Sequence, residues 1–301
     1  MSATYVAAAT LDDALAAVAA GARPVAGGTD LVVGSRSGAR PMPESVVAIH
    51  RLDDLRAFAS DPDGLRAGTL VTHSALMHDA VVLERYTALA DACAIVGSWA
   101  TRATGTIGGN VMNASPAMDT GGPLLCFDAS ATLTSPEGSR EVPLDELWTG
   151  PRQTSARPGE LLTTLTVPPV ADGTGSAYVR LEYRRHMEIA VVGATAVVRL
   201  EGDRVTGARV AITALAPTIR RVPEAEAALD GSDGGRDAAE AAAQAAAAAS
   251  APITDVRGSD AYRRAMAAVI TRRAVLAAVA RARDGAQAVP MPASPALHGA
   301  V

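Results

Sequence analysis

Fifteen residues carry most of the chemistry that this sequence can offer: Gly105-Thr106-Ile107-Gly108-Gly109-Asn110-Val111-Met112-Asn113-Ala114-Ser115-Pro116-Ala117-Met118-Asp119. They combine three glycines, two asparagines, two hydroxyls and a carboxylate. Glycines let a ligand approach the backbone, because no Cβ stands in the way. Successive N–H groups in a turn suit phosphate oxygens, and short polar side chains then orient the ligand. The alternative is a tight glycine-rich turn between two strands. Composition adds a reason to look here. The chain has no lysine, and Asn110 and Asn113 are its only asparagines. A GC-rich genome removes both residue types where nothing holds them, so two survivors beside a Gly-Gly pair suggest that an amide is needed.

A second glycine loop, Gly27-Gly28-Thr29-Asp30, follows Pro24-Val25-Ala26, which reads as a short strand. Each loop has a hydroxyl beside its glycines, Thr29 and Thr106. Two such loops suggest a pyrophosphate held between subdomains with N–H donors from both sides. With no lysine, backbone dipoles and a few arginines must offset the phosphate charge. There is no GxGxxG and no GxxxxGK[ST], so neither the Rossmann fingerprint nor a P-loop holds the ligand.

The elements around these loops can be read from pattern. Leu11–Ala20 reads as a helix with Thr10 as N-cap and acidic residues in its first turn. Val46–Ile49 reads as a strand, as do Leu65–Leu70, Ala129–Thr134 and Glu160–Val167. Helices are expected from Ser74, over Tyr86–Val96 and over Pro123–Cys126. Ser35–Pro43 and Gly150–Pro158 read as loops. After the linker Val170–Gly175 the pattern changes. Three strands are expected at Ser176–Tyr183, Ala190–Leu200 and Gly207–Leu215, then helices at Glu224–Leu229, Asp237–Ser250 and Ser259–Asp284. The nearly all-alanine helix should sit at the surface or against a close neighbour. The last helix offers Tyr262, Met266, Val269, Val275, Leu276 and Val279 for its buried face. The tail from Gly285 frays or docks on a partner.

Bulk properties exclude several classes. The 301 residues are 49% hydrophobic and 20% charged with a net charge of −5, which argues against nucleic acid as the main partner. Aromatics are 3%, so the core must be aliphatic. Cys93 and Cys126 are too few to ligate an iron–sulfur cluster and read as buried thiols in a cytoplasmic protein. The five histidines show no metal-ligand spacing, so no metal site is expected. No secretory signal and no membrane span are expected. Trp99 reads as a packing residue. Arg184 and Arg185 read as partners of Glu182 and Glu188, and Arg152 and Arg157 as members of a solvated loop.

Over nearly its whole length the chain resembles the FAD-binding medium subunit of molybdenum hydroxylases, the xanthine dehydrogenase and carbon monoxide dehydrogenase group. The resemblance rests on Ala26–Leu31, on Gly105–Asn110 running to Ser115–Asp119, and on Gly159-Glu160-Leu161-Leu162. It continues in Arg184-Arg185 with Glu188-Ile189-Ala190, and in Asp255–Ser259 followed by Tyr262-Arg263-Arg264. It implies an α+β fold. A vanillyl-alcohol-oxidase-like (PCMH-type) FAD-binding domain spans residues 1–170 as two α+β subdomains, about 1–55 and 56–170. A small α+β C-terminal domain of three strands and helices spans 175–285, and residues 286–301 form a tail.

By resemblance, Ala26, Gly27, Gly28, Thr29 and Asp30 and then Thr106, Ile107, Gly108, Gly109 and Asn110 hold the pyrophosphate and ribityl chain of FAD. Asn113, Asp119, Leu162 and Arg180 contact the cofactor further along, with Tyr183 a candidate near the ring. Relatives often place a lysine where Arg180 stands. An arginine does not deprotonate, so tuning by proton loss is not expected there. No histidine or cysteine lies in either loop, so FAD should be non-covalent. No residue is assigned as catalytic.

The resemblance also implies an oxidoreductase subunit of a hetero-oligomer that is inactive on the substrate alone. Molybdopterin and [2Fe–2S] clusters belong to a large and a small partner subunit, and electrons leave through FAD to NAD, oxygen, a quinone or another acceptor. Two other readings are a self-contained FAD-dependent oxidase or reductase, using Tyr178, Tyr183 or His186, and a non-enzymatic nucleotide-binding module.

Overall fold

The structure, a computed structural model, describes residues 4–38, 40–61, 63–184, 186–285 and 288–290. The expected behaviour of the tail lies almost wholly outside the described residues, as does the pairing expected of Arg185.

The N-terminal unit is a parallel three-stranded sheet. Thr4–Ala7 and Arg23–Val25 flank Ser45–Ala48. Its first helix, Leu11–Ala19, starts where the sequence signals it: the Thr10 hydroxyl accepts from the Asp13 N–H while the Asp13 carboxylate accepts from the Thr10 N–H. Ala14, Leu15 and Val18 pack on Val47 and Ile49, and this small core reaches Leu70 and Leu161 of the next unit. The stretch after the first glycine loop is a helix, Thr29–Arg36, so the expected loop Ser35–Pro43 starts inside its last turn.

The second unit is a five-stranded antiparallel sheet. Its strand order is Phe58–Asp61, Gly64–Gly68, Leu161–Val167, Ser130–Ser135, Gly138–Pro143. Short helices, including Thr87–Ile95, Trp99–Thr104, Ile107–Asn113 and Gly121–Cys126, bury Leu89, Ile107, Val111 and Leu124 in one core with Leu133 and Leu165. Tyr86 meets Phe127 edge-on at 5.1 Å. Cys93 and Cys126 are buried free thiols, as the sequence suggests.

The C-terminal unit is an antiparallel meander, Thr174–Leu181, Val192–Glu201 and Arg204–Thr213, backed by helices Pro223–Leu229, Arg236–Ala249 and Asp260–Asp284. A fourth, two-residue strand, Arg220–Arg221, adds to the three expected. The alanine-rich helix buries Ala239, Ala242, Ala243 and Ala246 against its neighbours; small side chains permit that close packing. On the last helix the buried face is Ala267, Ile270, Ala274, Val275, Ala278 and Val279, whereas Tyr262 and Leu276 point outward. The turn before it explains the Asp255–Arg264 pattern. Asp255 and Gly258 exchange backbone hydrogen bonds, and Ser259 caps the helix. Arg263 is buried, bonded to Asp255 and to the Val191 carbonyl, and Arg264 donates to the Ser250 carbonyl.

Among the described residues no helix is long and apolar enough to cross a membrane, and no cluster of His, Cys, Asp or Glu could hold a metal ion.

Candidate functional site

The two glycine loops meet. A Cβ built on Gly27 would lie 2.0 Å from the Thr104 carbonyl oxygen, and one on Gly105 would lie 3.4 Å from the Thr29 hydroxyl. Only glycine permits this approach, which joins the parallel sheet to the antiparallel one. Beside the seam is a cleft of about 390 Å³, lined by Ala26, Gly27, His50, Arg56, Thr104 and Thr106 among others.

The loops differ in what they offer a ligand. Gly28, in the left-handed region at φ 69°, occupies the N-cap of helix Thr29–Arg36, and no side chain caps that helix. Among the described residues, no backbone acceptor takes the N–H groups from Gly27 to Leu31. A helix start with free donors favours an anion. In the second segment Gly108 and Gly109 lie inside helix Ile107–Asn113, not in a turn between strands. There the Ile107 N–H donates to Val71 O, the Gly108 N–H to Thr69 O, and the Gly109 N–H to the Thr106 hydroxyl. The donors of the nest therefore come from the first loop, not from both. Gly108 is pinned, since a Cβ there would meet the Thr69 hydroxyl at 1.8 Å. Gly109 is exposed, so the second segment presents bare backbone at its surface.

Both asparagines are anchored by their carbonyl oxygens. Asn110 accepts from the Thr120 hydroxyl at 2.6 Å. Asn113 accepts from Arg152 at 3.0 Å and from Arg40 at 3.4 Å. Sequence reading leaves Arg152 in a solvated loop and gives Arg40 no role. Their meeting joins residues 73 and 39 positions from Asn113, which no local pattern reveals. Burial and the nearby Arg40 charge depress the Arg152 pKa.

Asp119 and Arg180 are also brought together, and both are buried. Arg180 donates to Asp119 at 2.9 Å, to Glu182 and to the Glu188 carbonyl; Tyr178 donates its hydroxyl to Asp119 at 2.7 Å. Burial raises the Asp119 pKa against the pull of Arg180 and Tyr178. Glu182 thus pairs with Arg180 rather than with Arg184, which bonds Glu188 as expected. Leu162 is 1% exposed, its side chain in the sheet core. Tyr183 is exposed and bonds the Arg257 carbonyl. Trp99, expected to pack, is 65% exposed with the Arg102 guanidinium 4.6 Å over its ring.

His73, which the sequence reading sets aside as a metal ligand, abuts Gly105. Its ring is buried, and its Nδ1 has no hydrogen-bond partner among the described residues. Burial, reinforced by Arg102, pushes its pKa down to about 4. The unfolded chain binds a proton near pH 6.5, the folded chain only near 4. Stability is therefore full above pH 6.5 and falls by up to about 3 kcal/mol as pH drops to 4. A His73→Gln chain is expected to lose this part of the slope in urea melts taken across that window.

Comparisons with known proteins agree with the geometry. Residues 1–170 match the family described as the FAD binding domain in molybdopterin dehydrogenase, and residues 176–278 match the CO dehydrogenase flavoprotein C-terminal domain. The carbon monoxide dehydrogenase medium chain of Afipia carboxidovorans is 31% identical over 263 residues, covering 87% of this chain and 91% of that one. The xanthine dehydrogenase FAD-binding subunit of Escherichia coli O157:H7 is 31% identical over 284 residues, covering 93% and 97%. The solved carbon monoxide dehydrogenase from Hydrogenophaga pseudoflava superposes with a TM-score of 0.88 at 32% identity, covering 93% of this chain and 98% of that chain. A seam that only glycine permits, an uncapped helix start with free N–H donors and this agreement over both parts of the chain lead to one conclusion: the protein belongs to the FAD-binding medium-subunit family of the molybdenum hydroxylases.

Proposed function

We propose that this chain is an electron-transfer subunit that binds FAD non-covalently along the seam between its two glycine segments. The observation that carries the reading is the row of N–H groups from Gly27 to Leu31, unclaimed among the described residues and set at an uncapped helix start. FAD, when bound, supplies the redox chemistry. The chain's own residues hold and orient it. Ala26, Gly27, Gly28, Thr29 and Asp30 receive the phosphates, while Thr106, Ile107, Gly108, Gly109 and Asn110 form the opposing wall. Asn113 lies further along. Asp119, Leu162 and Arg180 back that wall rather than reach the ligand with free side-chain atoms, because their side chains are buried and Asp119 and Arg180 hold each other. The cofactor-binding unit ends near residue 170 and a C-terminal domain begins near 175.

In this reading electrons arrive from [2Fe–2S] clusters of a small subunit, after oxidation of the substrate at molybdopterin in a large subunit. They leave to an external acceptor in the cytoplasm. The self-contained alternative loses support, because Tyr178 is buried against Asp119 and unavailable as a base. Purification from the native source tests the proposal. The chain is expected to co-purify with two other subunits and with about one FAD per chain, and to be inactive on the substrate when separated. A monomer with full substrate-dependent activity sinks it.

A further inference from the structure

We propose that Arg40, Arg152 and Asn113 form an oxyanion site for a phosphate group, built from side chains rather than from the N–H groups of the first glycine loop. Two guanidiniums converge on the single Asn113 oxygen, from the loop after helix Thr29–Arg36 and from the turn after Gly150. Neither forms an ion pair with a carboxylate among the described residues. Each guanidinium carries five N–H donors, of which the amide takes one. Bringing two cations to one neutral oxygen is unfavourable by itself, and an anion between them relieves it.

The local backbone is built to hold this arrangement. Ala114 and Arg152 are both left-handed, at φ 46° and 61°, and the Arg152 N–H donates to the Ala114 carbonyl at 2.8 Å. Such conformations cost on the order of 1 kcal/mol each for residues other than glycine. Arg40 is steered too. Its N–H donates to Gly34 O, and its guanidinium lies 3.2 Å from where a Gly34 Cβ would stand. Arginines favour helix C-termini, which accounts for a cation near either helix end but not for two on one amide.

Gly34 and Asn113 lie about 7–9 Å along their helices from Thr29 and Ile107, at about 1.5 Å per residue. The Asp30 carboxylate at the start of helix Thr29–Arg36 lies close enough to Arg152 to favour its charged form, so the two arginines border the nest. The phosphate comes either from the pyrophosphate of FAD or from a phosphate-bearing electron acceptor such as a dinucleotide. This choice of sources rests on the proposed FAD binding; the anion site itself does not.

The full chain, apo and FAD-loaded, is titrated with inorganic pyrophosphate by calorimetry at low salt, and FAD affinity is measured separately. Arg40→Gln and Arg152→Gln are each expected to weaken pyrophosphate by about tenfold or more, with Arg152→Lys falling between them and wild type. If pyrophosphate still binds the loaded chain and the Gln variants keep wild-type FAD affinity, the site serves an external ligand. If loading abolishes pyrophosphate binding and the variants lose FAD affinity, it serves the cofactor. Gly34→Val, which displaces the Arg40 guanidinium while keeping both charges, is expected to act like Arg40→Gln. Pyrophosphate affinity unchanged in both Gln variants, with melts like wild type, overturns the proposal. If wild type binds no FAD but pyrophosphate binding depends on the arginines, the anion site stands and the FAD reading falls.

Discussion

A Gly109→Val chain is expected to purify folded and colourless. Gly109 is exposed on the second segment, and its nearest neighbour to an added Cβ is the Thr106 hydroxyl at 3.0 Å. A branched side chain therefore projects into the space a ligand needs, while the core below is untouched. Its structural cost is confined to the Thr106 cap, worth about 1 kcal/mol. Overfilling a close-fitting site costs about 1–3 kcal/mol, or roughly 10- to 100-fold in FAD affinity. Gly27→Ala is the complementary change. Its Cβ would meet the Thr104 carbonyl at 2.0 Å, backbone against backbone, so the seam must open. FAD retention and melting temperature should then fall together, whereas in Gly109→Val only retention falls. Flavin absorbance after desalting, read beside a thermal melt, separates the two. A fully yellow Gly109→Val chain rules out the second segment as a cofactor wall.

These two glycines also show what the sequence made legible. A Gly-Gly pair beside polar residues announces close backbone approach, and the approach of Gly27 to Thr104 is of that kind. The pattern does not say which glycine faces a ligand and which faces protein. Gly108 is fixed against Thr69, and Gly109 looks outward. Nor does it announce a helix, because two glycines lower local helix propensity by about 1 kcal/mol each. The helix Ile107–Asn113 forms because Val71 and Thr69 accept the N–H groups of its first turn and Ile107 and Val111 are buried. The capping box at Thr10 and Asp13 was legible because both partners lie within three residues. The Arg40–Asn113–Arg152 meeting and the Asp119–Arg180 pair were not, because their partners lie 39 to 73 residues apart. Trp99 misled for a related reason: a large apolar ring predicts burial only where the fold supplies a core to receive it, and helix Trp99–Thr104 turns it outward.

Replacing Asp91 with Ala is expected to lower the melting temperature by on the order of 10 °C. Asp91 is 0% exposed on helix Thr87–Ile95, and Arg281 of the last helix is 3% exposed. The two form a bidentate pair, 2.6 and 2.9 Å, and Arg281 also donates to the Ser176 carbonyl at 2.8 Å. The Tyr178 N–H donates to the same carboxylate. One carboxylate thus joins the FAD-domain helix, the first strand of the C-terminal sheet and the last helix. Removing it leaves a guanidinium buried without its counter-charge, which costs about 3–5 kcal/mol. For a chain of this size that corresponds to roughly 2–4 °C per kcal/mol. The loss should come from the stranded charge rather than from a missing attraction, because burying an ion pair gains little net energy. An Asp91→Leu, Arg281→Met double variant is therefore expected to melt above the single variant but below wild type, since the Tyr178 N–H is left unpaired. A single Asp91→Ala chain that melts within 2 °C or so of wild type would mean that water reaches Arg281 and that the domains are not joined through this pair.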